Sequence, residues 1–554
     1  MTLFTPRIPE IPSSSFSSLP AWFSALLRAR GIETEEEARR FLHPSLKDLH
    51  SPFLMQDMEK AVRLIRDAID AGERIMIFGD YDADGICAVS ILLETLSEMK
   101  AQVSFRLPSR QRDGYGLHEA AVREISEKAS LLITVDCGIS NLDEVRLAKS
   151  LGLTVIVTDH HQLPETLPPA DAILEPLLGD YPCPHLCGAG VALKLTQALL
   201  GAEGLEKRLD LAAVATVADV VPLLDENRII VREGLRRLES TPRPGLRALI
   251  RSAGLSAPLR ADDLAFRIGP RLNAAGRLGD ASAGVRLLLT GKEDKALADA
   301  AALEEQNRLR QGMEREITAR ALEEVSGFSP EDRVLIAAGE GWNPGLIGLS
   351  AGRLCEKFYR PAIVLSLPED GGPATGSCRS IPGVHIFEML RACSDLLLRF
   401  GGHAQAAGLS LNRENIPALR QRLNDVIREQ CDEDCFRRRL EYDAELPFPV
   451  WTEETLSLLD RLEPCGCGNP APLFLLSGAR VDTLRRVGRD GAHLQLFLRT
   501  PENMPFKGIG FSLGEEGDRD TDEDLDILYT PFLSHYNGKT SVEAQVKALR
   551  TSAL

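Results

Sequence analysis

The stretch Gly79-Asp80-Tyr81-Asp82-Ala83-Asp84-Gly85 follows directly on the apolar run Ile75-Met76-Ile77-Phe78. The apolar run predicts a buried β-strand, so three carboxylates at alternate positions leave its carboxyl end together. In an open parallel sheet this edge is where ligands bind, and carboxylates so close together repel one another unless a cation lies between them. A calcium helix-loop-helix motif is disfavoured because its twelfth loop position would be Ile91. The stretch therefore predicts a metal-binding turn in an α/β fold.

Two more apolar runs end in the same way. Ile133-Thr134-Val135 is followed by Asp136, and Val155-Ile156-Val157-Thr158 is followed by Asp159-His160-His161. A single acid after a strand often only caps the next helix. Three such strand ends in one sheet would converge on one edge of the sheet. Their oxygen ligands, with one or two imidazoles, suit Mn²⁺, and they suit Mg²⁺ less well where imidazole is a ligand. Asp219, in another apolar stretch, is either a further ligand or a helix cap.

Short β-rich and helical runs alternate from Arg74 onward, a pattern that predicts a parallel sheet covered by helices. A second α/β pattern begins at Arg333, and short strands with turns dominate the C-terminal part. We expect five segments: a helical N-terminal segment (1–70), a first α/β lobe with the metal turn (71–290), a long connecting helix (291–328), a second α/β lobe (329–432) and a small β-barrel (440–554).

The connecting helix carries one apolar stripe. Leu309, Met313, Ile317 and Ala321 recur every four residues, and we expect all four to be buried in a core. A helix of this length can also join two lobes across a cleft.

Composition limits the classes of function. The chain has 554 residues, a net charge of -17 and eleven cysteines. An odd, scattered set of cysteines argues against a disulfide framework and for a reducing compartment, so we expect a cytoplasmic protein. No run approaches the roughly 20 apolar residues of a membrane span. A phosphate-bearing substrate would need a local basic groove or bound cations on so acidic a chain.

Glycine-rich motifs with arginine or histidine lie further along the chain. Residues 269–279 predict a loop in which Arg271 and Arg277 hold phosphates, or else a plain surface loop. The glycines of residues 376–383 and 400–408 would let the backbone approach a ligand closely. The alternative is that these residues form tight turns that serve only packing. Cys183 and Cys187 lack a second nearby pair, which disfavours structural zinc.

Together, these residues resemble the DHH phosphoesterase superfamily, through the Asp80–Gly85 turn, Asp136-Cys137-Gly138 and Asp159-His160-His161. Within it, the chain resembles the bacterial family of single-strand-specific 5′→3′ DNA exonucleases, from about residue 20 to the C-terminus. Further motifs carry this likeness: Arg110 with Gly114-Tyr115-Gly116-Leu117, 216–222, 269–278, Trp342-Asn343-Pro344-Gly345, 376–383, Gly401-Gly402-His403 and Gly468-Asn469-Pro470.

The resemblance implies a fold of two α/β lobes, a parallel-sheet DHH domain and a DHH-associated domain, joined by the long helix and followed by an OB-like β-barrel. It implies two divalent ions, Mn²⁺ or Mg²⁺, with Asp136 between them and His161 facing the scissile phosphate. The implied metal ligands are Asp80, Asp82, Asp84, Asp136, His160 and Asp219, with Asp80 and Asp159 as either supporting groups or an extra ligand. The implied catalytic residues are His161, Asp136 and Asp159. The implied substrate-binding residues are Arg110, Arg271, Asn273, Arg277, Ser377, Arg379, Ser380, Gly401, Gly402 and His403.

The implied activity is two-metal hydrolysis of single-stranded DNA from the 5′ end, in DNA repair and recombination. One alternative is a phosphodiesterase acting on short oligonucleotides or cyclic dinucleotides, although a short substrate needs no distant barrel. Another is a DNA-binding scaffold whose catalytic domain has decayed, although every expected acid and histidine is present.

Expected partners are single-stranded DNA and, from the resemblance, a single-strand-binding protein and a RecQ-type helicase; we expect a monomer. Two positions depart from the family: Asn343 stands where His is usual, and Glu175 where Asn is usual. Arg485, Arg486 and residues 437–439 are candidate outer contacts to DNA.

Overall fold

The structure is a computed structural model that describes residues 2–8, 10–11, 16–17, 19–109, 116–329, 331–519, 522–536 and 539–552. Arg110, together with Gly114 and Tyr115 of the same motif, lies outside the described residues. Among the described residues, no helix has the length and apolar character that crossing a membrane requires. All eleven cysteines are free thiols.

The N-terminal segment and the first lobe contain most of the helices. The N-terminal elements are β1 (Leu3–Pro6), α1 (Ala21–Arg28), α2 (Glu35–Leu42) and α3 (Met58–Asp70). The strands of the first lobe are β2 (Arg74–Gly79), β3 (Gln102–Arg106), β4 (Leu131–Val135), β5 (Thr154–Thr158) and β6 (Ala172–Leu174). Its helices are α4 (Ala83–Glu98), α5 (Glu119–Ser126), α6 (Leu142–Ser150), α7 (Gly188–Glu206), α8 (Leu209–Ala218), α9 (Asp225–Glu239), α10 (Pro244–Ser252), α11 (Ala261–Asp263), α12 (Gly269–Leu278) and α13 (Ser282–Leu289).

The sheet of the first lobe is entirely parallel, in the order β3-β2-β4-β5-β6. Strands β4 and β5 are almost wholly buried, as expected where helices cover both faces of a parallel sheet. Because β2, β4 and β5 are neighbours, Asp80, Asp136 and Asp159 follow adjacent carboxyl ends. The predicted convergence of these three strand ends is therefore confirmed.

The long helix, α14 (Glu293–Glu324), connects the two lobes. Its first half packs on the core of the first lobe, and its second half packs on the second lobe. Ile317 and Ala321 are buried, but the side chains of Leu309 and Met313 are 55% and 39% exposed. The prediction that the whole stripe is buried was therefore wrong. The middle of α14 lies between the two hydrophobic cores and packs into neither of them.

The second lobe has a mixed sheet in the order β10-β11-β9-β8-β7. Only β7 and β8 pair in parallel. Its elements are β7 (Leu335–Glu340), α15 (Ile347–Phe358), β8 (Ala362–Leu367), β9 (Ala374–Arg379), α16 (Ile386–Arg391), β10 (Arg399–Gly402), β11 (Ala406–Leu411) and α17 (Ile416–Gln430).

The C-terminal domain is a β-barrel that closes through a pairing of β14 with β17. Its elements are β12 (Arg439–Tyr442), β13 (Ala444–Glu445), α18 (Glu453–Asp460), β14 (Phe474–Val487), β15 (His493–Arg499), β16 (Pro505–Gly510), β17 (Leu525–Tyr536) and β18 (Lys539–Thr551). The N-terminal segment joins this domain, because β1 pairs in parallel with β12 and Trp22 packs edge-on against Trp451.

One local prediction fails. Residues 269–279 were expected to form a loop, but α12 occupies most of them. Pro270 lies in the first turn, where a missing N–H costs nothing, and the small residues let the helix pack closely on the first lobe.

Candidate metal centre and active site

The acidic turn after β2 is held by its own helix and by the start of α7. Asp82 caps α4, because its Oδ1 accepts from Asp84 N–H (2.9 Å) and Gly85 N–H (3.1 Å). The two carboxylate oxygens of Asp84 accept from Gly188 N–H (2.6 Å) and Ala189 N–H (2.8 Å) in the first turn of α7. The positive end of a helix suits an anion there. Two of the three turn carboxylates are thus fixed by backbone donors.

His160 lies at the centre of the carboxylates. Its Nε2 atom is 3.1 Å from Asp136 Oδ1, 3.6 Å from Asp219 Oδ2 and 3.7 Å from Asp84 Oδ2. Asp219 ends α8, and Asp136 takes a left-handed conformation (φ 57°) directly after β4. Residues more than 130 positions apart in sequence therefore meet at one point.

Asp159 and His161 form a separate pair beside this cluster. His161 Nδ1 lies 2.7 Å from Asp159 Oδ1, and Asp159 Oδ2 accepts from Ile139 N–H (2.9 Å). The Asp159 side chain is buried, whereas the His161 side chain is 43% exposed. Asp159 thus fixes the orientation of the His161 ring, and the ring remains partly exposed to solvent.

The electrostatics of the cluster call for positive charge. Burial, and then the charges of Asp84 and Asp82, raise the pKa of Asp136 well above its usual range and that of Asp219 to about 8. Burial lowers the pKa of His160. Burial opposes protonation of His161, but its hydrogen bond and charge interaction with Asp159 raise its pKa to about 9. A bound cation would remove the repulsion that disfavours ionised carboxylates here.

The donor set fits divalent ions. Three groups of side chains have ligand atoms within 4.8 Å of one another: Asp136 with His160 and His161, Asp84 with His160 and Asp219, and Asp80 with Asp82 and Asp136. Carboxylate oxygens with a minority of imidazole nitrogens suit Mn²⁺ and Mg²⁺. All six predicted metal ligands belong to these overlapping groups.

Supporting contacts come from the start of α7, where the sequence indicated no site residue. Gly188 and Ala189 lie in a helical stretch without a metal motif, and only the fold brings their amides to Asp84. Cys187 caps α7 by accepting from Gly190 N–H (3.4 Å), a structural role for that cysteine. The only sequence signal was an apolar, small-residue helix start.

The predicted substrate residues that the structure describes are divided between the first and the second lobe. Asn273 on α12 accepts from Ala83 N–H (2.8 Å), so it supports the acidic turn. Arg271 is buried against Glu304 (2.6 Å), and Arg277 Nη1 donates to Gly345 O (2.8 Å). A cavity of about 590 Å³ beside Arg277 is also lined by Met313 and Asn343.

In the second lobe, Ser377 and Arg379 lie on β9, and Arg379 Nη1 donates to Ser377 Oγ (3.3 Å). Ser380 Oγ donates to Val384 O (2.7 Å). Gly401, Gly402 and His403 are exposed at the end of β10, and His403 N–H donates to Ala406 O (2.8 Å). Arg379 also lines a cavity of about 660 Å³ between α14 and α15. That these residues contact a substrate remains a prediction.

The two departures from the family pattern have local partners. Glu175 follows β6 and is fully buried, its Oε1 accepts from Leu177 N–H (3.2 Å), and burial raises its pKa to about 8. Asn343 Oδ1 accepts from Gly345 N–H (2.8 Å).

Comparison with known proteins bears on all three domains. The chain matches family models for the DHH family, N-terminal domain (residues 74–218), the DHHA1 domain (331–429) and the RecJ OB domain (442–548). It is 36% identical to the single-stranded-DNA-specific exonuclease RecJ of Dickeya dadantii, over 98% of each chain. The chain belongs to the RecJ family. The resemblance inferred from the sequence and the predicted fold class are thereby confirmed.

Other RecJ proteins show the same likeness. Identity to Escherichia coli RecJ is 36% over 90% of each chain, and to Bacillus subtilis RecJ it is 42% over 89% of this chain. The match covers 63% of the length of the Bacillus relative. Crystal structures of Thermus thermophilus RecJ in complex with Mn²⁺ and with Mg²⁺ superpose with TM-scores of 0.84 and 0.78, at 32% and 30% identity, and cover 97% of this chain and 76% and 75% of theirs.

Proposed function

We propose that this RecJ-family chain is a metal-dependent exonuclease that hydrolyses phosphodiester bonds of single-stranded DNA from the 5′ end, in DNA repair and recombination. The observation that carries the proposal is the convergence of Asp84, Asp136 and Asp219 on His160, with Asp80 and Asp82 beside Asp136, in a chain whose relatives are named single-stranded-DNA-specific exonucleases. The 5′→3′ polarity comes from the family resemblance alone.

Asp80, Asp82, Asp84, Asp136, His160 and Asp219 would hold two divalent ions, Mn²⁺ or Mg²⁺. The chemistry that such ions supply when bound is activation of a water and charge stabilisation at the leaving oxygen. The chain keeps the carboxylates in place through the cap at Asp82 and the amides that bind Asp84. Fixed donors of this kind reduce the reorganisation needed during the reaction.

His161 would act on the substrate directly. Its Nδ1 is engaged by Asp159 (2.7 Å), and its side chain is 43% exposed beside the metal ligands. In the metal-free protein, Asp159 raises the pKa of His161 to about 9, and in its protonated form the ring can donate a hydrogen bond to a phosphate oxygen or a proton to the leaving group. Asp159, through its contact with Nδ1, then orients the ring and stabilises its protonated form.

The second lobe would bind the 5′ end. Ser377, Arg379 and the exposed backbone of Gly401 and Gly402 offer hydroxyl, guanidinium and amide donors, which suit phosphate oxygens. Arg277 approaches from the first lobe, with Met313 of α14 lining the same cavity. Arg271 is already paired with Glu304, so we assign it a supporting role for α12.

The barrel would hold the strand further from the cut. Two rows of cross-strand neighbours lie on the outward face of β14, β15 and β16. One row contains Thr483, Phe497 and Lys507, and the next contains Arg485, Gln495 and Ile509. Lys507 Nζ lies 5.8 Å from the Phe497 ring centroid. An aromatic ring among cations on a sheet face suits base stacking with phosphate contacts. Arg486 is paired with Asp518, so Arg485 is the better candidate contact.

Further aspects of the proposal rest on the family resemblance. We infer action in the cytoplasm as a monomer, on strands supplied by a RecQ-type helicase and covered by a single-strand-binding protein. The eleven free thiols are consistent with a reducing compartment. The segment bounds given in the sequence analysis stay part of this proposal.

The test is digestion of single strands blocked at either the 5′ or the 3′ end, with Mn²⁺, Mg²⁺ or a chelator. We expect metal-dependent release of mononucleotides only from strands with an accessible 5′ end. Asp136→Asn should lower kcat by more than about 100-fold without loss of folding, because Asp136 belongs to two of the three donor groups. Undiminished activity in Asp136→Asn would refute the mechanism, and faster cleavage of a dinucleotide than of a long strand would favour the short-substrate alternative.

A further inference from the structure

The segment that carries Asp219 passes directly to the interface with the barrel domain. Asp219 ends α8, Val220 takes a left-handed conformation (φ 59°), and the chain continues through Pro222 and Leu223 to α9. Leu223 is buried in the core of the first lobe, whereas Leu224 packs against the core of the barrel domain. The residues that follow a carboxylate of the metal centre therefore lie between two domains.

The barrel domain meets this segment through the loop of residues 465–470. Leu223 N–H donates to Cys467 O (2.8 Å). Gly468 has a φ of +69° and faces Pro222 so closely that a Cβ atom there would lie 3.0 Å from Pro222 Cβ. The loop thus meets the Asp219 segment through this hydrogen bond and through the close approach of Gly468 to Pro222, which a Cβ atom would crowd.

The loop is itself rigidly held. Asn469 is fully buried, and its Nδ2 donates to Leu462 O and Pro464 O, both at 2.8 Å. Its Oδ1 accepts from Arg30 Nε of the N-terminal segment (2.9 Å). From the first lobe, Arg228 of α9 donates to main-chain carbonyls of the N-terminal segment and of the barrel domain. These are the carbonyls of Phe41, Arg461, Leu462, Glu463 and Pro464. A displacement of the loop would therefore cost several buried hydrogen bonds.

We propose that the loop 465–470 is part of the catalytic scaffold, with Gly468 and Asn469 as positioning residues that keep the Asp219 segment, and thereby Asp219, in the carboxylate cluster. The proposal rests on the proposed metal-dependent function. It gives the barrel domain a second task, since the domain would complete the metal centre as well as hold the strand. A barrel that only held the strand would affect long substrates and leave the metal centre unchanged.

A matched pair of variants separates these two roles. Gly468→Ala places a Cβ atom against Pro222, whereas Gly478→Ala in β14 has a similar φ of +65° and its nearest neighbour is Pro501 Cγ at 3.9 Å. Both substitutions impose the same kind of backbone strain on the same domain. Only the first presses on the Asp219 segment.

The readouts are hydrogen–deuterium exchange of residues 215–227 in the metal-free full chain, Mn²⁺ affinity by calorimetry, and kcat on a long strand and on an oligonucleotide too short to reach the barrel. For Gly468→Ala we expect faster exchange, and losses of about tenfold in Mn²⁺ affinity and in kcat on both substrates. Gly478→Ala should match the wild type. A Gly468→Ala protein that changes none of these, or raises only KM for the long strand, overturns the proposal.

A milder variant covers the case in which Gly468→Ala does not fold. A Cβ atom at Gly466 would lie 2.8 Å from Leu223 Cδ1, the movable end of a side chain, so Gly466→Ala should shift the same readouts less and in the same direction. No shift in that folded variant also overturns the proposal. If the wild type cleaves no DNA while exchange and Mn²⁺ affinity respond as expected, the nuclease function fails and the positioning role stands.

Discussion

At the scale of residues, the pair of Asp159 and His161 is the most directly testable feature. Asp159 is buried, but its hydrogen bonds with His161 Nδ1 and Ile139 N–H lower its pKa, so it stays ionised. The charge of Asp159 in turn stabilises the protonated form of His161. The sequence indicated both residues but not their pairing, because neighbours two positions apart in a turn can point in many directions. The bond at 2.7 Å is a property of the folded turn.

Asp159→Asn should lower the pKa of His161 from about 9 toward 6.5, because the charge that holds its proton is lost. The measurement is an NMR titration of the histidine rings in the metal-free protein. Asp143→Asn is the control, since Asp143 is exposed and bonded to Arg146 at the surface. A pKa of His161 that stays near 9 in Asp159→Asn would contradict the assignment.

Asp219 should make the metal-free protein less stable as pH rises from about 4 to 8. The folded state raises the pKa of Asp219 from 3.8 to about 8, so across this range it retains a proton that the unfolded state has lost. Each such proton lowers the free energy of unfolding by up to about 1.4 kcal/mol per pH unit. Thermal unfolding across pH with chelator should show a slope that is reduced in Asp219→Asn and by saturating Mn²⁺. Equal pH profiles in the wild type and in Asp219→Asn would refute the electrostatic account.

At the scale of elements, the start of α7 supports two carboxylates at once. The amide of Gly188 binds Asp84, and a Cβ atom at this position would lie 2.6 Å from Asp136 Cβ. Only glycine lets the helix approach so closely. Element boundaries follow from local sequence, but this approach depends on how α7 packs against β4.

Gly188→Ala should weaken Mn²⁺ binding by about tenfold or more, because either α7 or Asp136 must move. Gly190→Ala, in the same helical turn, meets only the Leu186 side chain at 3.2 Å and should bind Mn²⁺ normally. Calorimetric titration of both variants decides this. Equal affinities in the two proteins would show that the approach of α7 is not critical.

At the scale of the whole molecule, the N-terminal segment and the barrel are one unit. Strands β1 and β12 pair although they lie more than 430 residues apart, and Trp22, Phe23 and Leu26 belong to the core that surrounds Phe474. Arg228 links this unit to the first lobe through five carbonyls and lies 3.8 Å from the Phe41 ring centroid.

Arg228→Lys should destabilise this interface by about 3 kcal/mol or more, because one ammonium cannot satisfy five buried carbonyls. Arg232→Lys, one helical turn further on, affects a single bond to Leu42 O and should cost less than about 1 kcal/mol. Urea unfolding followed by tryptophan fluorescence reports on the core, since Trp22 and Trp451 lie in it. Similar midpoints for the two variants would argue against Arg228 as the main link.

The sequence by itself determined the alternation of strands and helices, the carboxyl edge at which Asp80, Asp136 and Asp159 meet, and the family. These follow from periodicity and from acids at strand ends, which are local patterns. Only the tertiary structure decided that Asp84 is bound by α7, that Leu309 and Met313 stay exposed, that α12 replaces the expected loop, and that the N-terminal segment packs on the barrel. Each depends on contacts between residues far apart in the chain, and local patterns in the sequence do not specify which distant surfaces meet.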